Sequence, residues 1–285
     1  MSWFQVLGGN SDIGFATVKI FAKNKYNIHL ISRDINNLKT KKNIIEKNYS
    51  VQCKISEIDL MSESSIDEFF NKYEIKPKVI LIAAGYLEKN EKNIDRIINI
   101  NFKSLVKFIE KTINKNIQEN FLETIIGISS VSGDRRKKND TYSISKSDFS
   151  NYLSSLNQRL YKSNINVITV KPGYVETKMT KDLKLPKLLV STPEKIAKDI
   201  GTKHTENAEA FRLYTQGRIL WMTRSQAGMK RSITLFGQAI DLDDKFALAY
   251  TGIADAYSML CQYGYLDYED GSPFEGEEFP IIYAR

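Results

Sequence analysis

Trp3-Phe4-Gln5-Val6-Leu7-Gly8-Gly9-Asn10-Ser11-Asp12-Ile13-Gly14 decides how this chain is read. The first five residues form a short apolar run, the signature of a buried strand. Three glycines then flank a polar turn, and a helical pattern runs from Phe15 to Lys25. Strand, glycine turn and helix together make a phosphate cradle: glycine lets the backbone come close, and the helix amino end offers N–H groups. The same pattern also serves as an ordinary strand-to-helix connection, so the turn alone does not decide. Outward from it, further apolar runs fall at 27–32, 51–58, 78–83, 122–129 and 165–171. Helical patterns lie between them, the fourth around 91–116 and the fifth around 141–162. Strands that alternate with helices and read as continuous apolar runs predict an α/β fold: a doubly wound, Rossmann-like parallel sheet. Its expected strand order is 3-2-1-4-5-6, with the site at the strand carboxyl ends.

Tyr142 precedes Lys146 by four residues, so both side chains lie on one helix face. An ammonium beside a phenol favours the phenolate, and such a phenol can exchange a proton near neutral pH. Ser130 ends the apolar run Ile126-Gly127-Ile128-Ser129 and offers a hydroxyl to the oxygen that gains or loses that proton.

Together these residues resemble the short-chain dehydrogenase/reductase family over roughly residues 1–200. The family turn T-G-x-x-x-G-x-G corresponds to Leu7 through Gly14, with Leu7 in place of the threonine and Asp12 in place of the middle glycine. The resemblance places the family's catalytic Asn-Ser-Tyr-Lys set on Asn101, Ser130, Tyr142 and Lys146. It implies hydride transfer between a nicotinamide and a carbonyl carbon. Tyr142 would be the general acid and Ser130 the holder of the carbonyl oxygen. Lys146 would tune the tyrosine and hold the nicotinamide ribose, and Asn101 would place a water next to the lysine. Cofactor contacts are implied at Gly8, Asn10, Ser11, Asp12, Ile13 and Gly14, and at Asp59 and Leu60. Ala84 and Gly85 remain of the family's N-N-A-G. Pro172, Gly173, Val175 and Thr177 fall in the motif P-G-x-x-x-T. Asp12 and Asp59 also read as helix caps. Residues 176–190 begin a substrate loop, and the fourth and fifth helices imply a homodimer face.

Charge bears on the choice of cofactor. The second run ends in Ser32-Arg33-Asp34 rather than in an acidic residue that would meet a ribose 2′-hydroxyl. Arg33 suits a phosphate, which favours NADP(H) over NAD(H); Arg33 also reads as a solvated turn residue, with Asp34 capping the next helix. A finer resemblance, carried by Ser129 to Arg135 and by Val170 to Thr177, points to a bacterial branch that reduces keto-sugars on lipid carriers. It implies a sugar ketone of cell-envelope or capsule synthesis as substrate, with Arg135 to Lys138 either meeting a phosphate on it or solvated.

Near residue 200 the composition changes. Residues 1–200 hold 33 basic and 22 acidic side chains (+11) and the remainder 8 and 12 (−4), which sum to the chain's +7. Beyond 200 the only asparagine is Asn207. Such a break reads as two joined sequences, a fusion, natural or artificial. Residues 206–224, 225–242 and 244–263 carry helical periodicity. Phe236-x-x-Ala239 and Tyr250-x-x-Ile253-Ala254-x-x-Tyr257 resemble one and a half tetratricopeptide repeats. Ala239 and Ala254 would admit close helices, and Phe236 and Tyr257 would fill the gaps. The acidic stretch 267–278 reads as loop. No seventh strand is legible in 201–285, because Phe279-Pro280-Ile281-Ile282-Tyr283 carries a proline. The expectation is therefore a sheet whose cofactor pocket and catalytic set form, with an incomplete substrate wall and weak or absent turnover. The competing function class is a scaffold whose repeat-like helices recruit a protein partner.

Other classes are disfavoured. The 285 residues contain no apolar run of membrane-spanning length and no secretory signal at the start. Cys53 and Cys261 stand in different segments, which fits a reducing, cytoplasmic setting. His29 and His204 lack metal-ligand spacing, so no metal is expected. The cluster Lys39, Lys41 and Lys42 reads as a solvated face, not a nucleic-acid patch.

Overall fold

The computed structural model describes residues 1–88, 93–116, 121–134, 141–160, 163, 165–181, 190–201 and 207–266. Six parallel strands form the main sheet: β1 (Trp3–Leu7), β2 (Asn27–Ser32), β3 (Cys53–Glu57), β4 (Pro77–Ile82), β5 (Thr124–Ile128) and β6 (Asn166–Val170). Their order is β3-β2-β1-β4-β5-β6, as the sequence predicts. Parallel neighbours need crossovers, and these put helices on both faces. One face carries α1 (Asp12–Lys23), α2 (Ile35–Tyr49) and α7 (Pro193–Gly201), with Ile13, Val18, Leu38 and Ile45 against the sheet. The other carries α3 (Glu63–Asn71), α5 (Ser104–Asn116) and α6 (Thr141–Leu160), with Phe70, Phe108, Phe149 and Leu153 buried beneath them.

The strands are not wholly apolar. Gln5 and His29 are buried side by side on β1 and β2. The Gln5 Oε1 accepts from the Tyr73 hydroxyl at 2.8 Å and lies 3.1 Å from His29 Nδ1, while His29 Nε2 meets Ser56 Oγ at 2.8 Å. Burial, aided by Lys54, pushes the His29 pKa down to about 3, so the ring is neutral. Its role is that of a strand residue, as expected.

The predicted fourth helix is interrupted. α4 (Ile94–Ile98) passes through a π-helical turn, Asn99–Lys103, before continuing as α5. A π turn inserts one residue into the ladder, and here it turns Asn101 fully inward. A small parallel ladder, β7 (Tyr174–Val175) with β8 (Val190–Ser191), brackets the predicted substrate loop. Residues 182–189 of that loop, Arg135 to Lys138, His204 and the acidic tail lie outside the described residues.

The chain divides into two compact units, Met1–Thr202 and Lys203–Arg285. The second contains α8 (Ala208–Met222), α9 (Gln226–Leu242) and α10 (Ala247–Gln262), close to the predicted helical spans. Its packing rests on Phe236, fully buried against two glycines. A Cβ at Gly217 would lie 2.5 Å from that ring, and one at Gly252 2.9 Å from it. Ala239 is buried as expected, but Ala254 is exposed. Gly252 and Ala256 face inward in its place, on the buried stripe Ala249, Gly252, Ala256 and Leu260 of α10. Among the described residues no helix is long and apolar enough to cross a membrane, and no group of His, Cys, Asp or Glu is placed to hold a metal.

Candidate active site

The carboxyl ends of β1, β2, β4, β5 and β6 open into one cleft of about 430 Å³. At its centre the chain turns from β1 into α1. Gly8 adopts φ +94°, and a Cβ there would sit 2.4 Å from the Ala84 nitrogen. Only glycine combines that backbone angle with that approach. Ser11 caps α1 by accepting from the Gly14 N–H, which displaces Asp12 from the predicted capping role. Among the described residues no acceptor of the chain takes the N–H groups of Asp12 or Ile13. Those donors, at the positive end of the α1 dipole, fit a pyrophosphate.

Asp12 puts a carboxylate beside this anion site, but lysines surround it. The Asp12 Oδ2 accepts from the backbone N–H of Lys178 at 2.8 Å. Lys41 is buried, contrary to the solvated reading; its Nζ donates to the Gly9 carbonyl at 3.0 Å and stands 4.4 Å from the centre of the Phe15 ring. Burial first, and then the charge of Lys178, bring the Lys41 pKa down to about 8; Asp12 opposes the fall and Lys19 adds to it. Periodicity could have revealed it, since Leu38, Lys41 and Ile45 share the inward stripe of α2.

Next to the turn, Asn10 Nδ2 donates to Ser32 Oγ at 3.1 Å and to the Asp34 carbonyl at 2.9 Å. Asp34 caps α2 by accepting from the Asn37 N–H, as the alternative reading had it. Arg33 is exposed at the cleft edge. Asp59 and Leu60 form another part of the wall. Asp59 accepts from the Met61 N–H, and Ser62, not Asp59, caps α3.

At the other end, Lys146 is buried and its Nζ donates to the Ile128 carbonyl at 3.1 Å. Nζ stands 5.8 Å from the centre of the Tyr142 ring, as the four-residue spacing requires. Burial lowers the lysine pKa from 10.5 to about 8, so it is charged at neutral pH yet close to releasing a proton. Ser130 lines the same wall, with its Oγ 2.7 Å from Ser132 Oγ and accepting from the Ser132 N–H at 3.1 Å. Pro172, Gly173, Val175 and Thr177 complete it from beyond β6.

Two predicted residues lie behind the wall rather than on it. Gly14 is buried, and a Cβ on it would reach the Gly8 carbonyl at 2.8 Å. Asn101 is fully buried. Its Oδ1 accepts from the Tyr86 N–H at 2.7 Å, and its Nδ2 donates to the Tyr86 carbonyl at 2.8 Å and to Ser145 Oγ at 3.1 Å. Both amide hydrogens are thus used by protein groups. The side chain clamps the segment after β4 to α6 and keeps Gly85 next to Lys146. Ser145 in this clamp carried no sequence signal, and neither did the contact that Ser129 makes by donating to the Lys146 carbonyl at 2.9 Å. Tyr86 and Arg96, the guanidinium 4.5 Å from the ring centre, also line the cleft unanticipated.

A parallel sheet in this order, with a glycine turn and a buried lysine beside a tyrosine at its carboxyl edge, defines a dinucleotide-binding oxidoreductase. The chain belongs to the short chain dehydrogenase family, whose profile matches residues 3–187. Carbonyl reductase family member 4 of Xenopus laevis is 26% identical over 208 residues, covering 68% of this chain and 87% of that protein. The 3-oxoacyl-[acyl-carrier-protein] reductase MabA of Mycobacterium tuberculosis is 23% identical over 230 residues, 75% of this chain and 88% of that one. Among solved structures, a short-chain dehydrogenase from Sphingobium yanoikuyae in complex with NADPH superposes with a TM-score of 0.63 at 18% identity, covering 79% of this chain and 97% of that one. An alcohol dehydrogenase from Thermococcus sibiricus complexed with 5-hydroxy-NADP gives 0.60 at 17% identity, covering 70% and 89%.

Proposed function

We propose that the protein reduces a carbonyl compound with NADPH, Tyr142 acting as the general acid. The observation that carries this reading is Lys146: a buried lysine beside the Tyr142 ring, at the strand edge where Ser130 and the glycine turn open into one cleft. A bound nicotinamide supplies the hydride. Tyr142 gives its proton to the carbonyl oxygen, Ser130 holds that oxygen by a hydrogen bond, and Lys146 keeps positive charge under the phenol. Asn101 acts by holding Gly85 and α6 in place. Arg33 at the end of β2, with Ser32 where an acid would repel a 2′-phosphate, favours NADP(H). The oxygen-rich ketone of a keto-sugar, free or lipid-linked, is the substrate class the finer resemblance supports; the reductases of 3-oxoacyl groups among the relatives support carbonyl reduction more broadly. The site belongs to the amino-terminal unit in the cytoplasm, and the repeat-like helices of 207–266 are the surface we assign to a protein partner. The homodimer face is assigned to α4, α5 and α6.

The test separates binding from chemistry. Tyr142→Phe is expected to lower carbonyl reduction at least about 100-fold while NADPH affinity, read by cofactor fluorescence, stays within about two-fold. Retained turnover would overturn the assignment of the acid.

A further inference from the structure

The Asp12 carboxylate reaches 166 residues along the chain, to the backbone N–H of Lys178. Lys178 lies in a tight turn that closes on itself. Thr180 N–H donates to the Thr177 carbonyl at 3.1 Å, Thr177 N–H donates to Thr180 Oγ1 at 3.1 Å, and Thr180 Oγ1 donates to the Val175 carbonyl at 2.5 Å. Its base is fixed by the β7–β8 ladder and by the Glu176 N–H on the Ser191 carbonyl at 2.9 Å. Its far side reaches the opposite wall, where Met179 Cε would lie 3.9 Å from a Cβ on Gly85. Residues 177–180 therefore form a strap from the glycine turn across to the end of β4, over the middle of the cleft. The Asp12 contact is its tie to the turn.

We infer that Asp12 is a latch: it ties the strap shut and so sets how fast the dinucleotide enters and leaves. The inference rests on the cofactor reading above, and it gives a purpose to an acid that stands where the family turn has glycine. A carboxylate near the pyrophosphate would otherwise only repel it. Here the carboxylate accepts from a backbone amide, and Lys41 and Lys178 offset its charge. A tie that must open before the cofactor moves in either direction raises the barrier to both movements. Cutting it therefore speeds association and dissociation together and leaves the affinity nearly unchanged, whereas a simple cofactor contact alters the affinity. Asp12 is thus a positioning residue, acting through the strap.

The experiment compares the full chain with Asp12→Ala, which has no acceptor, and Asp12→Asn, which keeps one. Stopped-flow fluorescence gives the NADPH rates, and hydrogen exchange gives the protection of the Lys178 amide. Loss of one hydrogen bond to a charged group, partly exposed, is expected to raise both rates about five-fold in Asp12→Ala, with Kd within about two-fold. Lys178 protection is expected to fall, and Asp12→Asn to restore much of both. Slower dissociation with tighter binding in Asp12→Ala would show that Asp12 merely repels the phosphates and would overturn the latch. Unchanged rates, or unchanged Lys178 exchange, would overturn it as well, with the cofactor reading intact. Failure of the unaltered chain to bind NADPH would overturn both readings.

Discussion

Replacing Lys146 by methionine should make the protein more stable at neutral pH while removing its chemistry. The side chain is 3% exposed, and burial lowers its pKa from 10.5 to about 8. At about 1.4 kcal/mol per pKa unit, holding this lysine charged in the folded state costs about 3 kcal/mol. Methionine fills a similar volume without a charge, but it forfeits the hydrogen bond to the Ile128 carbonyl, about 1.5 kcal/mol. The net expectation at pH 7 is a gain of about 1 to 2 kcal/mol, a rise of about 2–8 °C in melting temperature. The sign with pH follows from linkage. Between the folded pKa, about 8, and the unfolded 10.5, the unfolded chain binds more protons than the folded one, so the lysine's penalty fades as pH rises. Urea unfolding of the cofactor-free protein and of Lys146→Met at pH 7 and pH 10 measures this directly. The variant's advantage should shrink by at least about 2 kcal/mol across that interval. A variant that is less stable at pH 7, with a difference independent of pH, would refute the idea that the lysine is held at an electrostatic cost. Activity provides the complementary reading, since turnover should fall by at least about 100-fold.

Two further outcomes are expected. Arg33→Gln should weaken NADPH about ten-fold while NADH changes less than two-fold, measured by competition binding; equal losses for both would remove Arg33 from the 2′-phosphate site. Gly8→Ala combines φ +94° with a 2.4 Å approach to Ala84, so it should destabilise the first unit by about 3 kcal/mol or more and abolish NADPH binding. A variant with unchanged melting and affinity would contradict the packing of the turn against β4.

Much of the architecture follows from local rules. Apolar runs of strand length, spaced by helical patterns, lead to a parallel sheet, and the glycine turn fixes where the first strand meets the first helix. The handedness of crossovers leaves few strand orders, and the observed one is the order predicted. Tyr142 and Lys146 were legible because four residues on a helix bring two side chains together whatever surrounds them. The second unit's helices were legible by period, and so was the inward position of Phe236 and Ala239 on α9, but the inward face of α10 was not. The reading of Ala254 as a packing residue failed because α10 buries the stripe Ala249, Gly252, Ala256 and Leu260, and a position two residues from Gly252 and from Ala256 points to the opposite side of a helix with 3.6 residues per turn.

By itself the sequence determined the residue types on which the chemistry depends, and the local spacing that pairs them, because dihedral preference and side-chain period act over a few residues. Tertiary structure alone decided what each charge meets. Lys41 became a buried support of the glycine turn because α2 packs its inward stripe on the sheet. Asn101 became a clamp because a π turn rotated it inward, and Asp12 exchanged a helix cap for a partner 166 residues away. These outcomes come from contacts between distant segments, whose free energy depends on burial and on the partner that arrives.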